Sequence, residues 1–225
     1  MYIEYLNSPT SILLKDVPYL WEQNDILILL ADLDSYTFST EYLDDNEKED
    51  LNKLKTSHFR KRYIVSRTVL KFVLHHLLEG QSVFKISAYK DEYGRAHVRD
   101  HEELRICISY TGNIVSLAIS KVNVGTDIEL KKPLSTGKFS KYLNKQALET
   151  DSLGNGLDLL TIFTLKEAYC KFSNKSLLSC LNKELDLSSI FSSIYILNDR
   201  YILSIITDAN QQAINISYLQ KIESL

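Results

Sequence analysis

The chain has 225 residues, 44% hydrophobic and 24% charged, with a formal net charge of −3. That length can bury a substantial core as one domain or two small ones, and the composition is ordinary for a soluble globular protein. The weak negative charge argues against general coating of nucleic acid, though not against a local basic patch, and only 7 Gly and 3 Pro argue against long flexible linkers.

In chain order, Ile26-Leu27-Ile28-Leu29-Leu30 is a short continuous apolar run and predicts a buried strand. Glu41 to Asp50 is strongly acidic. From Leu51 to Leu78 the balance reverses: Lys53, Lys55, Arg60, Lys61, Arg62, Arg67 and Lys71 occur with no Asp or Glu. Phe59, Tyr63, Val69, Leu70, Val73 and Leu77 add a helical apolar stripe, which predicts one or two amphipathic helices with a basic face. Val83 to Tyr89 predicts a strand, followed by a turn at Asp91-Glu92-Tyr93-Gly94. Arg105 to Tyr110 and Ile114 to Ile119 flank Thr111-Gly112-Asn113 as a hairpin. Val122 to Glu129 predicts a strand and Leu157 to Phe172 a second helix. Ile194 to Leu197 and Tyr201 to Ile206 flank Asn198-Asp199-Arg200 as another hairpin, and Ala213 to Tyr218 predicts a last strand. The recurrence of strand, helix, strands predicts an α+β fold of two similar halves, 1–119 and 120–225.

Cys107, Cys170 and Cys180 form no Cys-x-x-Cys spacing and predict buried free thiols in a reducing compartment. Met1 to Leu14 lacks a basic leader followed by an apolar stretch, and no apolar run approaches the length of a membrane span. The expectation is a cytoplasmic protein with no membrane partner.

Two segments carry the chemistry. In Val124-Gly125-Thr126-Asp127-Ile128-Glu129 the two carboxylates are two residues apart, on one face of a strand. In Phe163-Thr164-Leu165-Lys166-Glu167-Ala168-Tyr169-Cys170-Lys171, Glu167 and Lys171 are four apart on one face of a helix. Converging, they would suit Mg²⁺ and a phosphate substrate, because Mg²⁺ takes one or two carboxylates with water and phosphate. Taken singly, the first is a solvated strand end and the second a surface ion pair worth a few tenths of a kcal/mol.

Gly-x-Asp-x-Glu followed by Lys-Glu-(small)-x-x-Lys resembles the signature pair of the 4′-phosphopantetheinyl transferases, in their larger, surfactin-type branch. The resemblance runs from about Leu51 to about Leu187. It implies two α/β subdomains related by a pseudo-twofold axis, with the active site in the cleft between them. It also implies Mg²⁺ held by Asp127, Glu129 and Glu167, with coenzyme A as co-substrate. Glu167 or a metal-bound water would act as base. Lys171 would stabilise the leaving phosphate, and Lys166 would add positive charge nearby. Lys55 and the Arg67-Thr68 pair align with coenzyme A-binding positions. Glu92-Tyr93-Gly94-Arg95-Ala96 resembles the family's Gly-Lys-Pro turn, with Arg95 keeping the charge. Cys107-Ile108-Ser109-Tyr110 resembles its Asn-x-Ser-His segment: Ser109 matches, while Tyr110 replaces a phosphate-contacting His. A tyrosine hydroxyl donates one hydrogen bond but is uncharged at neutral pH. Other departures are Phe163 for a Trp, Asn174-Lys175-Ser176-Leu177 for Gly-Lys-Gly-Leu, and Ala147 where the family has a Glu, with Gln146 and Glu149 out of register.

The resemblance implies transfer of phosphopantetheine from coenzyme A to a serine of an apo acyl or peptidyl carrier protein, releasing adenosine 3′,5′-bisphosphate, by a monomer. The alternative is a non-catalytic relative that binds coenzyme A or a carrier. A nucleic-acid binder using the basic helix is the third possibility, and the acidic net charge and paired carboxylates oppose it. The carrier itself is not identified by any residue.

Overall fold

A run such as Ile26–Leu30 has no polar face, so its stable place is a strand covered on both sides. All five residues are fully buried, and their strand is the middle one of a five-stranded sheet. The computed structural model describes residues 2–36, 39–132, 159–181, 183, 189–208 and 212–221. Among them the strands are β1 (Tyr2–Leu6), β2 (Thr10–Ile12), β3 (Ile26–Asp32), β4 (Ala88–Lys90), β5 (Ala96–Val98), β6 (Arg105–Thr111), β7 (Ile114–Ser120), β8 (Val124–Leu130), β9 (Phe191–Leu197), β10 (Tyr201–Thr207) and β11 (Ile214–Leu219). The helices are α1 (Val17–Gln23), α2 (Asp45–Lys53), α3 (Ser57–Leu77), α4 (Leu159–Phe172) and α5 (Leu177–Leu181). The mixture is α+β.

The chain divides into two compact units, one of Met1–Pro9 with Val122–Gln211 and the other of Thr10–Lys121 with Gln212–Leu225. The expected division at 119/120 is therefore corrected: each terminus belongs with the other half of the chain. β1 pairs in parallel with β9, and β11 pairs in parallel with β3 and β2. Parallel partners need long connections rather than tight turns, so no local turn signal announces them.

In the larger unit the sheet order is β2-β11-β3-β7-β6. Leu27 and Leu29 of β3, Val115, Leu117 and Ile119 of β7 and Ile106 of β6 join Val65, Val69, Leu70, Val73 and Leu74 of α3 in one apolar cluster. α3 holds 21 residues without Gly or Pro. Thr56 Oγ1 accepts from the Phe59 amide at its start, and Gly80, at φ +81°, donates its amide to His75 O at its end. The strand expected over Val83 to Tyr89 is corrected to a turn followed by the short β4, paired with β5 around Asp91–Arg95. Val83, Ile86 and Ala88 are buried without belonging to one extended run, which mimics strand spacing.

Lys71, one of the cations read as a basic face, turns inward and pairs with the acidic stretch Glu41 to Asp50. Its Nζ is fully buried, 2.7 Å from Glu47 and 2.8 Å from Tyr42 O. Glu47 also closes the capping box of α2, where Asp44 Oδ1 accepts from its amide and its carboxylate accepts from the Asp44 amide. Burial pushes the Glu47 carboxyl up, opposed by Lys71.

The smaller unit has sheet order β1-β9-β10-β8, with α4 against one face. β8 lies at the sheet edge, paired only with β10 in the ladder. Leu160 packs with Ile194, Ile196 and Ile202, and Leu165 and Ala168 pack with Ile206.

Removing one member of a buried ion pair leaves the other charge uncompensated, so Lys71→Met should destabilise the protein by about 3–5 kcal/mol in urea unfolding. The double variant Glu47→Leu/Lys71→Met should recover a large part of that loss. No recovery would show that the capping box, not the charge pair, carries the effect.

Candidate metal centre

Gly125, Asp127 and Glu129 share one face of β8, the face that α4 covers. Gly125 sets how close the two elements come. A Cβ there would collide with Ala168 O and the Phe172 amide and stand 2.6 Å from Phe172 Cβ. Only glycine lets the helix backbone lie against the strand at this point. Ala168 and Phe172 are four apart and form one ridge of α4. Glu167 and Lys171, each one residue earlier, form the adjacent ridge.

The consequence is a cluster of three carboxylates. One oxygen each from Asp127, Glu129 and Glu167 lies within 4.8 Å of the others, and among the described residues no other His, Cys, Asp and Glu side chains form such a group. Asp127 is 2% exposed, while Glu129 and Glu167 are half-buried. Lys171 Nζ donates to Asp127 Oδ1 at 2.7 Å. Burial, the Asp127 charge, a hydrogen bond with Asp127 and the Glu129 charge push the Glu167 carboxyl up to about 8, against the pull of Lys171. Three oxygen donors of this kind could hold a hard divalent cation.

Lys166 is placed differently from its expected role. It is 2% exposed and its Nζ donates to Lys183 O at 2.8 Å. One helical step turns a side chain by about 100°, so Lys166 points away from the ridge of Glu167 and Lys171. Cys107, Cys170 and Cys180 are buried and unbridged, as expected. Burial and the neighbouring Cys180 hold the Cys170 thiol well above its usual range.

The residues implied for coenzyme A lie in the larger unit. Lys55 is exposed and Arg95 half-buried. The Arg95 turn is built by Asp91, whose Oδ1 accepts from the Tyr93 and Arg95 amides while Oδ2 bonds His97 Nε2 at 3.0 Å. Gly94, at φ +92°, supplies the left-handed step. Arg67 is 2% exposed, with its guanidinium over the Tyr63 ring at 5.3 Å, so it presents no open surface to a ligand. The Thr68 hydroxyl is buried, without a hydrogen-bond partner among the described residues. Ser109 is buried in β6. Tyr110 lies on the opposite face, packed on the main cluster, and donates to Ser66 Oγ at 2.7 Å. β6 continues through Thr111, so alternation holds and Tyr110 packs onto α3. Arg62 lies over its ring at 5.5 Å and donates to Gly112 O. Ala147, Gln146 and Glu149 lie outside the described residues.

Other cations of the basic stretch are also engaged. Lys53 pairs with Asp50, Lys61 with Asp34, and Arg60 donates to Leu51 O. What the motif spacing did not convey was the use of Gly125 as the contact point with α4. Its place two residues before Asp127 was the available signal.

No family model matches the chain, and no curated protein matches it.

Gly125→Ala should be destabilising by about 1–3 kcal/mol or more, because the backbone atoms it meets cannot move aside like a side-chain tip. It should also abolish divalent-ion binding, measured by calorimetry. A stable variant that binds the ion normally would refute the close-approach account.

The Glu167 shift gives a pH dependence. The unfolded carboxyl loses its proton near 4.5, whereas the folded one keeps it to about 8. The folded state therefore binds more protons in that window, and stability falls as pH rises through it. Without metal, wild type should lose thermal midpoint relative to Glu167→Gln between about pH 4.5 and 8, at ~2–4 °C per kcal/mol. Mg²⁺ should restore the wild-type midpoint at pH 8 and help Glu167→Gln less. Parallel midpoint curves for the two proteins in EDTA would exclude the shift.

Proposed function

We propose that the chain is a Mg²⁺-dependent transferase that moves the 4′-phosphopantetheine arm of coenzyme A onto a serine of an acyl or peptidyl carrier protein. The observation that carries this reading is the convergence of Asp127, Glu129 and Glu167 within 4.8 Å, with Lys171 bonded to Asp127. The donor set fits Mg²⁺: all three ligands are carboxylate oxygens, and no thiol or imidazole joins them among the described residues. Bound there, Mg²⁺ would offset the charge of the pyrophosphate.

The protein's own groups divide the remaining work. Glu167 is raised only while the cluster holds no cation; beside Mg²⁺ its carboxylate would be ionised, and it or a metal-bound water would be placed to accept the serine proton. Lys171 is 32% exposed along its side chain, so its ammonium can hold Asp127 and still meet a leaving phosphate. Lys166 is assigned to holding the segment at Lys183 instead of to chemistry. Tyr110, bonded to Ser66, is not assigned to the phosphates. Lys55 and Arg95 are the proposed contacts to coenzyme A, and phosphoryl transfer of this kind depends mainly on positioning and electrostatics.

Incubation with coenzyme A, Mg²⁺ and a panel of apo carriers, read by intact-mass spectrometry, tests this directly. A phosphopantetheine mass addition to at least one carrier is expected. Asp127→Ala, Glu129→Ala and Glu167→Ala should each lower transfer by at least about 10²-fold while remaining folded, on the scale of removing one transition-state charge contact. Near-wild-type turnover in any two of them at saturating Mg²⁺ would sink the assignment.

A further inference from the structure

We propose that Ser204 is a positioning residue of the metal centre, its buried hydroxyl placed directly across the β8–β10 ladder to orient the Asp127 carboxylate when a divalent cation is bound. The proposal rests on the reading of Asp127, Glu129 and Glu167 as metal ligands.

In the antiparallel register, Ile202 stands opposite Glu129, Ser204 opposite Asp127 and Ile206 opposite Gly125. Directly opposed residues carry their side chains on the same face, with Cβ atoms about 4.5–5.5 Å apart. That face is the one beneath α4, because Ile206 packs with Leu165 and Ala168, and Ile202 packs with Leu160. Ser204 thus interrupts an apolar row under the helix and does so at the register position of the most buried ligand.

A hydroxyl is an expensive choice there. Ser204 is 0% exposed, and its Oγ has no hydrogen-bond partner among the described residues. A buried polar group is costly when unpaired, and an alanine would fill the same place without that cost. Thr164, also fully buried on α4, spends its hydroxyl on Leu160 O. Ser204 has no such local use.

The hydroxyl makes no bond to Asp127 in this structure either, and the use proposed for it is in the cation-bound form. Oδ1 of that carboxylate is held by Lys171. A serine hydroxyl on the strand side would be a second, neutral donor. It would fix the carboxylate plane without adding a positive charge that repels the cation. Groups that orient metal ligands in this way typically contribute 10–100-fold to metal affinity.

The test uses the full chain and Mg²⁺ alone. Affinity is measured by titration calorimetry, and the thermal midpoint is measured in EDTA. Ser204→Ala should bind Mg²⁺ at least about tenfold more weakly than wild type, with a metal-free midpoint unchanged or raised. Wild-type affinity in Ser204→Ala overturns the proposal, whatever its midpoint, and leaves the metal assignment standing. Folded wild type that takes up no Mg²⁺ overturns both. If Ser204→Ala lowers affinity and midpoint together, Ser204→Cys decides, because it fills the site with a much weaker donor. Weakened binding in a Cys variant of normal midpoint supports the positioning role, and normal binding overturns it.

Discussion

The close approach of α4 to β8 at Gly125 is the constraint on which the candidate site depends. A residue with any side chain at this position would hold the helix away from the strand. With the contact fixed, the rest follows from two periodicities. Asp127 and Glu129 lie two and four residues further along the strand, on the same face. Glu167 and Lys171 occupy the helix ridge beside the one that touches Gly125. A strand advances about 6.6 Å in two residues and a helix about 6 Å in four, so the two rows stay in step. The apolar contacts of Leu165 and Ala168 with Ile206 hold the helix down and keep that step.

What this geometry assembles is a cluster of like charges: three carboxylates within 4.8 Å of one another, with Lys171 bonded to Asp127. Burial and the charges of Asp127 and Glu129 push the Glu167 carboxyl up to about 8. Three carboxylate oxygens are the donor type that a hard divalent cation takes. The same cluster whose repulsion rises as its acids ionise could hold a divalent cation. Binding of such an ion would relieve the like-charge repulsion.

Much of this was legible in the sequence because the relevant signals are local. The Asp-x-Glu spacing gave a shared strand face, the Glu-x-x-x-Lys spacing gave a shared helix ridge, and the hairpins carried their own turn residues. Where the signals were not local, the sequence misled. The termini exchange units through parallel pairings that no turn announces. Lys71 reads as one of several cations on a basic face, and no local signal singles out Glu47, 24 residues earlier, as its buried partner. Lys166 adjoins Glu167 in sequence but points elsewhere, since neighbouring helical residues diverge. Ser204 carries no motif at all and gains meaning only from its register with Asp127.

The two charged signals in the sequence looked comparable, a basic helix and a set of spaced acids, and structure separates them. Along α3 and its approach, Lys53, Arg60, Lys61, Arg62 and Lys71 are matched by carboxylates or carbonyls. Arg67 lies inside against an aromatic ring. A cation with an internal partner has little to offer a phosphate, because binding would have to break one charge-assisted contact to make another. The acids of β8 and α4 are in the opposite condition: three of them lie within 4.8 Å of one another, and Lys171 is bonded to Asp127. A basic stretch read from composition alone therefore overstates what the helix presents, whereas the spaced acids understate it. The difference lies in whether the fold supplies the counter-charge, which only the long-range pairings determine.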